Sequence, residues 1–137
     1  MKKLVTIVAG TRPNFMKVSP LIRSIRKYST TLNFRIVNTS QHKIYEMNKV
    51  FFDDLNIPKP NNVLKIKPST NISNIANIMK SFEKDCLKSN PDLVMVVGDV
   101  DSTLACSLTA RKLNIPIAHV ESGLRSHDLS MPEEINR

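Results

Sequence analysis

Glycine is scarce in this chain, and its scarcity excludes two common phosphate-binding loops. Gly10, Gly98 and Gly123 are the only three in 137 residues. A single one falls in the loop after the first apolar run, so neither the G-x-G-x-x-G fingerprint nor the P-loop can be assembled there. A nicotinamide enzyme is disfavoured on that ground. The two cysteines, Cys86 and Cys106, form no spaced metal motif, and without a secretion signal they read as reduced packing residues. No apolar run approaches the roughly 20 residues of a membrane span. The N-terminal Met-Lys-Lys is followed by a short apolar run over residues 4–9, superficially like a signal peptide. That run is too short, and Arg12 and Lys17 stand where a small-residue cleavage site belongs. A first strand and a cytoplasmic location are expected instead.

Aromatics are few (5%) and interleave with no basic run, although the net charge is +8. The surplus is uneven. Residues 1–50 carry ten Lys/Arg and one acid, whereas residues 51–137 carry ten against eleven. No nucleic-acid motif accompanies it. A solvated basic face, with some attraction for phosphate-bearing small molecules, is the better account.

The remaining 41% of hydrophobic residues fall in an alternating pattern. Apolar, β-rich runs over residues 4–9, 34–37, 63–66, 92–97 and 115–120 predict five strands. Helical periodicity fills the gaps. The first helix, residues 14–27, turns Phe15, Val18, Leu21, Ile22 and Ile25 inward, and Pro20 should kink or restart it. A second, over residues 45–55, would point Met47, Val50, Phe51 and Leu55 inward. A third, over residues 73–87, carries Ile75, Ile78, Met79, Phe82 and Cys86 on one face, and a fourth covers residues 102–113. Strand-helix alternation implies parallel βαβ units and a Rossmann-like, doubly wound α/β sheet. With strand order 3-2-1-4-5, strands one and four meet at the switch point, where open sheets bind ligands. One crevice would then hold Arg12, Asp99 and Glu121.

Gly10-Thr11-Arg12-Pro13 opens a helix after a strand, where free N–H groups favour an anion. Arg12 and Lys17 are either cleft cations or ordinary surface ones. Asp99 either caps the next helix, a role open equally to Asp101, or points into the cleft. Glu121 ends a strand where no cap is needed. His119 shares its strand face, but two ligands without a spaced third make a poor metal site, and none is expected. Ser126-His127-Asp128 is contiguous, unlike a catalytic triad, which assembles from separated segments. Carboxylates close together repel and can divide acid and base roles. The residues thus point to acid/base chemistry on an anionic small molecule. Pro132-Glu133-Glu134 announces a helix first turn, and the sequence ends there, as a chain cut short would.

Five stretches, in order, resemble the non-hydrolysing UDP-N-acetylglucosamine 2-epimerases. They are Gly10-Thr11-Arg12-Pro13 with Lys17, Thr39-Ser40-Gln41-His42, Gly98-Asp99 before a Ser/Thr-bearing helix, His119-Val120-Glu121-Ser122-Gly123-Leu124-Arg125, and Met131-Pro132-Glu133-Glu134-Ile135-Asn136-Arg137. Ser40 and Asp101 depart from the family's usual glycine and threonine. The resemblance implies a GT-B fold, of which residues 1–137 would be the N-terminal Rossmann-like domain, with the C-terminal nucleotide-binding domain absent. It implies interconversion of UDP-GlcNAc and UDP-ManNAc, for surface-polysaccharide precursors, by elimination and re-addition of UDP. No redox cofactor is implied, because elimination makes C2 planar. Carried over by position, Asp99, Glu121 and Glu133 would be the acid/base carboxylates. Arg12, Lys17 and Arg125 would bind substrate, and Gln41 and His42 would correspond to a regulatory UDP-GlcNAc site in some bacterial members. The full-length enzyme would be a homodimer through this domain, with exposed apolar surface; neither nucleic acid nor membrane is expected as a partner. The isolated chain would have little activity. A non-catalytic domain that binds nucleotide sugar, or is completed by a partner, is the alternative.

Overall fold

In the computed structural model, which describes residues 1–39 and 49–137, five parallel strands form one sheet. The strands are β1 (Lys3–Ala9), β2 (Leu32–Asn38), β3 (Asn62–Val63), β4 (Leu93–Val97) and β5 (Ile117–Val120), in the order β3-β2-β1-β4-β5. β1 pairs with β2 along its whole length, Lys3 to Leu32 through Ala9 to Asn38, and with β4 from Val5–Leu93 to Ile7–Met95. The expected order therefore holds, and β1 and β4 are neighbours at the switch point.

Helices cover both faces. α1 (Arg12–Lys27) and the short α2 (Lys49–Asp54) lie over one core, built from Ile7, Phe15, Val18, Ile22, Ile36 and Phe52. α3 (Asn71–Ser89) and α4 (Asp101–Lys112) close the other, around Val94, Val96, Phe82, Cys86 and Cys106. A sheet buried on both sides needs apolar residues at successive positions, and β1 and β4 supply them. The core residues expected of α3 are in place: Ile78, Phe82 and Cys86 are buried, with Ile75 and Met79 packed against them. The cysteines are free and buried.

Two expectations are corrected. α1 does not restart at Pro20, which is exposed and lies within one continuous helix. The missing hydrogen bond falls on the solvent side, while Phe15, Val18, Ile22 and Ile25 hold both halves to the core. In α2, Val50 faces solvent and Phe52 is fully buried. Phe51 and Leu55 pack against the core around Phe52 as expected. The first part of the expected helix, with Met47, lies outside the described residues, as do Gln41 and His42.

α3 shows how local chemistry sets boundaries. The Thr70 hydroxyl caps its first turn by accepting from the Ser73 N–H, and Asn90 ends it in the left-handed region at φ 47°. Arg35 of β2 reaches across to Asp85 of α3 in a bidentate pair, one contact being 2.9 Å. Asn62 and Asp85 share a further hydrogen bond of 2.6 Å, so this inward carboxylate is fully partnered.

Candidate functional site

Three turns meet at the C-terminal end of the sheet. Gly10 follows β1, and its backbone fits only because it has no side chain: a Cβ there would lie 2.3 Å from the Thr39 hydroxyl. Beyond it, the Thr11 hydroxyl donates to Asn14 (2.8 Å), and the Asn14 amide reaches the Val97 carbonyl at 3.3 Å. Thr103 of α4 donates to the same carbonyl at 2.9 Å. One carbonyl at the end of β4 thus ties together the starts of α1 and α4.

Gly98 takes φ +71° and turns the chain from β4 into α4. Asp99 follows. Neither Asp99 nor Asp101 caps α4, whose N-cap is Val100 with no side-chain bond. Asp99 pairs instead with the Arg137 guanidinium, and Arg137 also holds Glu134 at 3.1 Å. The Asn136 amide donates to the Asp99 carbonyl (2.9 Å) and to the Asp101 carboxylate (3.1 Å). α5 (Pro132–Asn136) is therefore docked on the β4–α4 turn by its last residue and by Arg137. The Glu134 carboxyl is lowered from its usual value, first by the Ser126 backbone N–H, then by the Ser126 hydroxyl and Arg137.

The turn after β5 carries Glu121, in the left-handed region at φ 62°. Strand alternation stops at Val120, so Glu121 does not share the face of His119. His119 Nε2 sits 2.6 Å from the Gly98 carbonyl, and the Gly98 N–H donates to the Val120 carbonyl at 3.0 Å. Glu121 itself meets Lys17 of α1, with Nζ and Oε2 at 2.5 Å. At this end of the sheet Lys17, rather than Arg12, closes on Glu121. Arg12 instead lies over the ring of Phe51, 4.6 Å from its centroid.

Glu133 is exposed at the start of α5. Arg125 is exposed too and folds back onto the carbonyls of Ser122 (2.7 Å) and Leu124 (2.6 Å). The Ser126-His127-Asp128 stretch makes no triad: Ser126 bonds Glu134, and Asp128 receives the Ser130 hydroxyl and N–H. Among the described residues no group of three His, Cys, Asp or Glu side chains could hold a metal. Sequence reasoning assigned no role to Asn14, Asn136 and Arg137. Their signal was position, since each lies within a motif whose charged neighbours drew the attention.

A doubly wound parallel sheet with charged turns at its switch point defines a class: Rossmann-like α/β proteins, whose ligand sites lie at the C-terminal ends of the strands. Comparison with known proteins narrows it. The sequence model of the UDP-N-acetylglucosamine 2-epimerase family matches residues 24–137, and the chain belongs to that family. It is 49% identical, over 98% of its length, to a UDP-N-acetylglucosamine 2-epimerase homolog of Methanococcus maripaludis, of which it covers 37%. It is 44% identical, over 98% of its length, to the UDP-2,3-diacetamido-2,3-dideoxy-D-glucuronate 2-epimerase of Pseudomonas aeruginosa, of which it covers 38%. The structure of the Methanocaldococcus jannaschii UDP-GlcNAc 2-epimerase in complex with UDP-GlcNAc and UDP superposes with TM-score 0.88 at 45% identity, over 98% of this chain and 36% of that one. The chain thus spans little more than a third of these relatives.

Proposed function

We propose that this chain is the N-terminal, acid/base part of a UDP-N-acetylglucosamine 2-epimerase that interconverts UDP-GlcNAc and UDP-ManNAc. The observation that carries the reading is the joining of two carboxylate-bearing turns, at Asp99 and Glu121, by His119 and by the Gly98–Val120 hydrogen bond. A carboxylate removes the proton at C2 of the sugar, the C1–oxygen bond breaks, and UDP departs with the bonding pair. The product is a glycal with planar C2. Re-addition of UDP at C1, with a proton delivered to the opposite face of C2, gives the epimer. Atoms and charge balance without a redox partner. Asp99, Glu121 and Glu133 carry the proton transfers, while Lys17 and Arg12 face the anionic leaving group, with Arg125 a further substrate contact.

A second domain, of the size its relatives have beyond this region, completes the nucleotide site and the GT-B architecture. Binding energy from the nucleotide then positions C2 for reaction, so the chain alone has little activity. The full-length enzyme works as a homodimer. Exposed apolar side chains such as Val50, Ile72 and Leu87 are consistent with further contacts.

The test is proton NMR of UDP-GlcNAc incubated with this chain, with the C-terminal domain of the Methanocaldococcus jannaschii enzyme, and with both. UDP-ManNAc formed only in the mixture supports the reading. Nucleotide-sugar binding without epimer in any sample favours the non-catalytic, partner-completed alternative.

A further inference from the structure

We propose that Phe51 is a positioning residue: its ring fixes the Arg12 guanidinium so that the in-plane N–H donors face a diphosphate. The proposal rests on the assignment of Arg12 as a cation for the leaving group. Arg12 is the first residue of α1, and no acidic residue stands in that first turn. A cation at a helix N-terminus is disfavoured by the helix dipole. Among the described residues Arg12 makes no ion pair. What it has is the face of Phe51, 4.6 Å from guanidinium carbon to ring centroid. An aromatic face binds a guanidinium through its flat side and consumes none of its N–H donors. A carboxylate partner would occupy those donors and compete with phosphate.

The ring is itself fixed by the core. Phe51 meets Phe52 edge to face (5.7 Å, 89°), and Phe52 meets Phe15 at 4.7 Å and 64°. Phe52 and Phe15 are fully buried, and Phe15 lies one helical turn beyond Arg12. The end of α2 is also tied to α1: the Ser19 hydroxyl donates to the Leu55 carbonyl at 2.8 Å, and Arg26 reaches the Asn56 carbonyl at 3.3 Å. The ring beneath the exposed Arg12 is therefore anchored, through Phe52 and Phe15, to the buried core.

The experiment uses the 137-residue chain mixed with the C-terminal domain of the Methanocaldococcus jannaschii enzyme, with UDP as the probe and arginine side-chain NMR as the readout. In the native chain the Arg12 methylene protons carry an upfield ring-current shift. Phe51→Leu keeps an apolar side chain, removes that shift and weakens UDP binding roughly two- to fivefold. Phe51→Trp restores or tightens it. In an Arg12→Ala background Phe51→Leu has no further effect on UDP, which a merely structural role for Phe51 would not produce. Undiminished UDP affinity in Phe51→Leu, with the ring-current shift gone, overturns the positioning role alone. Undiminished UDP affinity of the Arg12→Ala chain in the same mixture, with the shift present in the native chain, overturns the diphosphate assignment of Arg12 and the proposal with it.

Discussion

Lys17 and Glu121 form an ion pair of 2.5 Å between α1 and the turn after β5, and both side chains are about one-third exposed, at 35% and 36%. Screening by water makes such a pair worth little to stability. Lys17→Met should change the free energy of unfolding by less than about 1 kcal/mol, measured by urea denaturation. If the pair orients an acid/base group, the same substitution should slow epimerisation in the completed enzyme far more than it loosens the fold. A loss of stability above that bound would make the pair structural.

The Arg35–Asp85 pair should behave oppositely. Its side chains are 14% and 6% exposed, and Asp85→Ala would leave a guanidinium in the interior without its anion. The expected cost is about 3–5 kcal/mol, read from the denaturation midpoint. Replacing both, as Arg35→Met with Asp85→Leu, should cost less than the single change, because no buried charge is then orphaned.

These two pairs show how far the sequence could be read. Strand and helix order followed from alternation of apolar runs, because a sheet covered on both faces leaves that pattern, and the strand order assumed for a doubly wound sheet holds. The meeting of the β4 and β5 turns was legible for the same reason. The partners were not. Asp99 found Arg137, and Glu121 found Lys17, because side-chain pairing depends on turn geometry that spacing does not encode. Glu121 in particular adopts a left-handed backbone, which breaks the face alternation assumed for a strand end. At α2 the inward placing of Phe51 and Leu55 was legible, whereas Val50 turned out exposed and Phe52 took a core position.

Gly10 should tolerate no side chain. The Cβ of Gly10→Ala would fall 2.3 Å from the Thr39 hydroxyl, with the Ser102 hydroxyl at 3.4 Å, and overpacking of this kind costs about 1–3 kcal/mol. Adding Thr39→Ala should recover part of that loss. Thermal unfolding of the single and double variants checks it; equal destabilisation in both would show that the loop backbone, rather than the Thr39 contact, sets the limit.

The Lys3–Asp92 pair predicts a pH window. A hydrogen bond from Lys3 and one from the Leu4 N–H lower the Asp92 pKa, and Asp92 raises that of Lys3. A depressed carboxyl stabilises above its unfolded value, about 3.9, and loses that contribution as pH falls through the folded value. A raised ammonium stabilises below about 10.4 and loses its share as pH rises further. Asp92→Asn should therefore differ from the native chain between these limits and converge with it in acid and in strong base. A constant difference in urea midpoint at all pH values would contradict the pairing.

The thiols should be inert in the native state. Burial, helped by Asp85, pushes Cys86 up to about 12, and burial pushes Cys106 well above its ordinary value. A thiolate-selective disulfide reagent at pH 8 should label neither until denaturant is added. Fast labelling of either in the folded chain would show that the α3–α4 core opens.

The most direct measurement is deuterium incorporation at C2 of UDP-GlcNAc in heavy water, followed by proton NMR, with the chain mixed with a C-terminal domain from a family enzyme. Exchange only in the mixture, reduced by roughly two to four orders of magnitude in Glu121→Gln, is the predicted result. Exchange unaffected by Glu121→Gln, or none in a mixture whose two halves are folded and bind UDP, would contradict the assignment of acid/base chemistry to this domain.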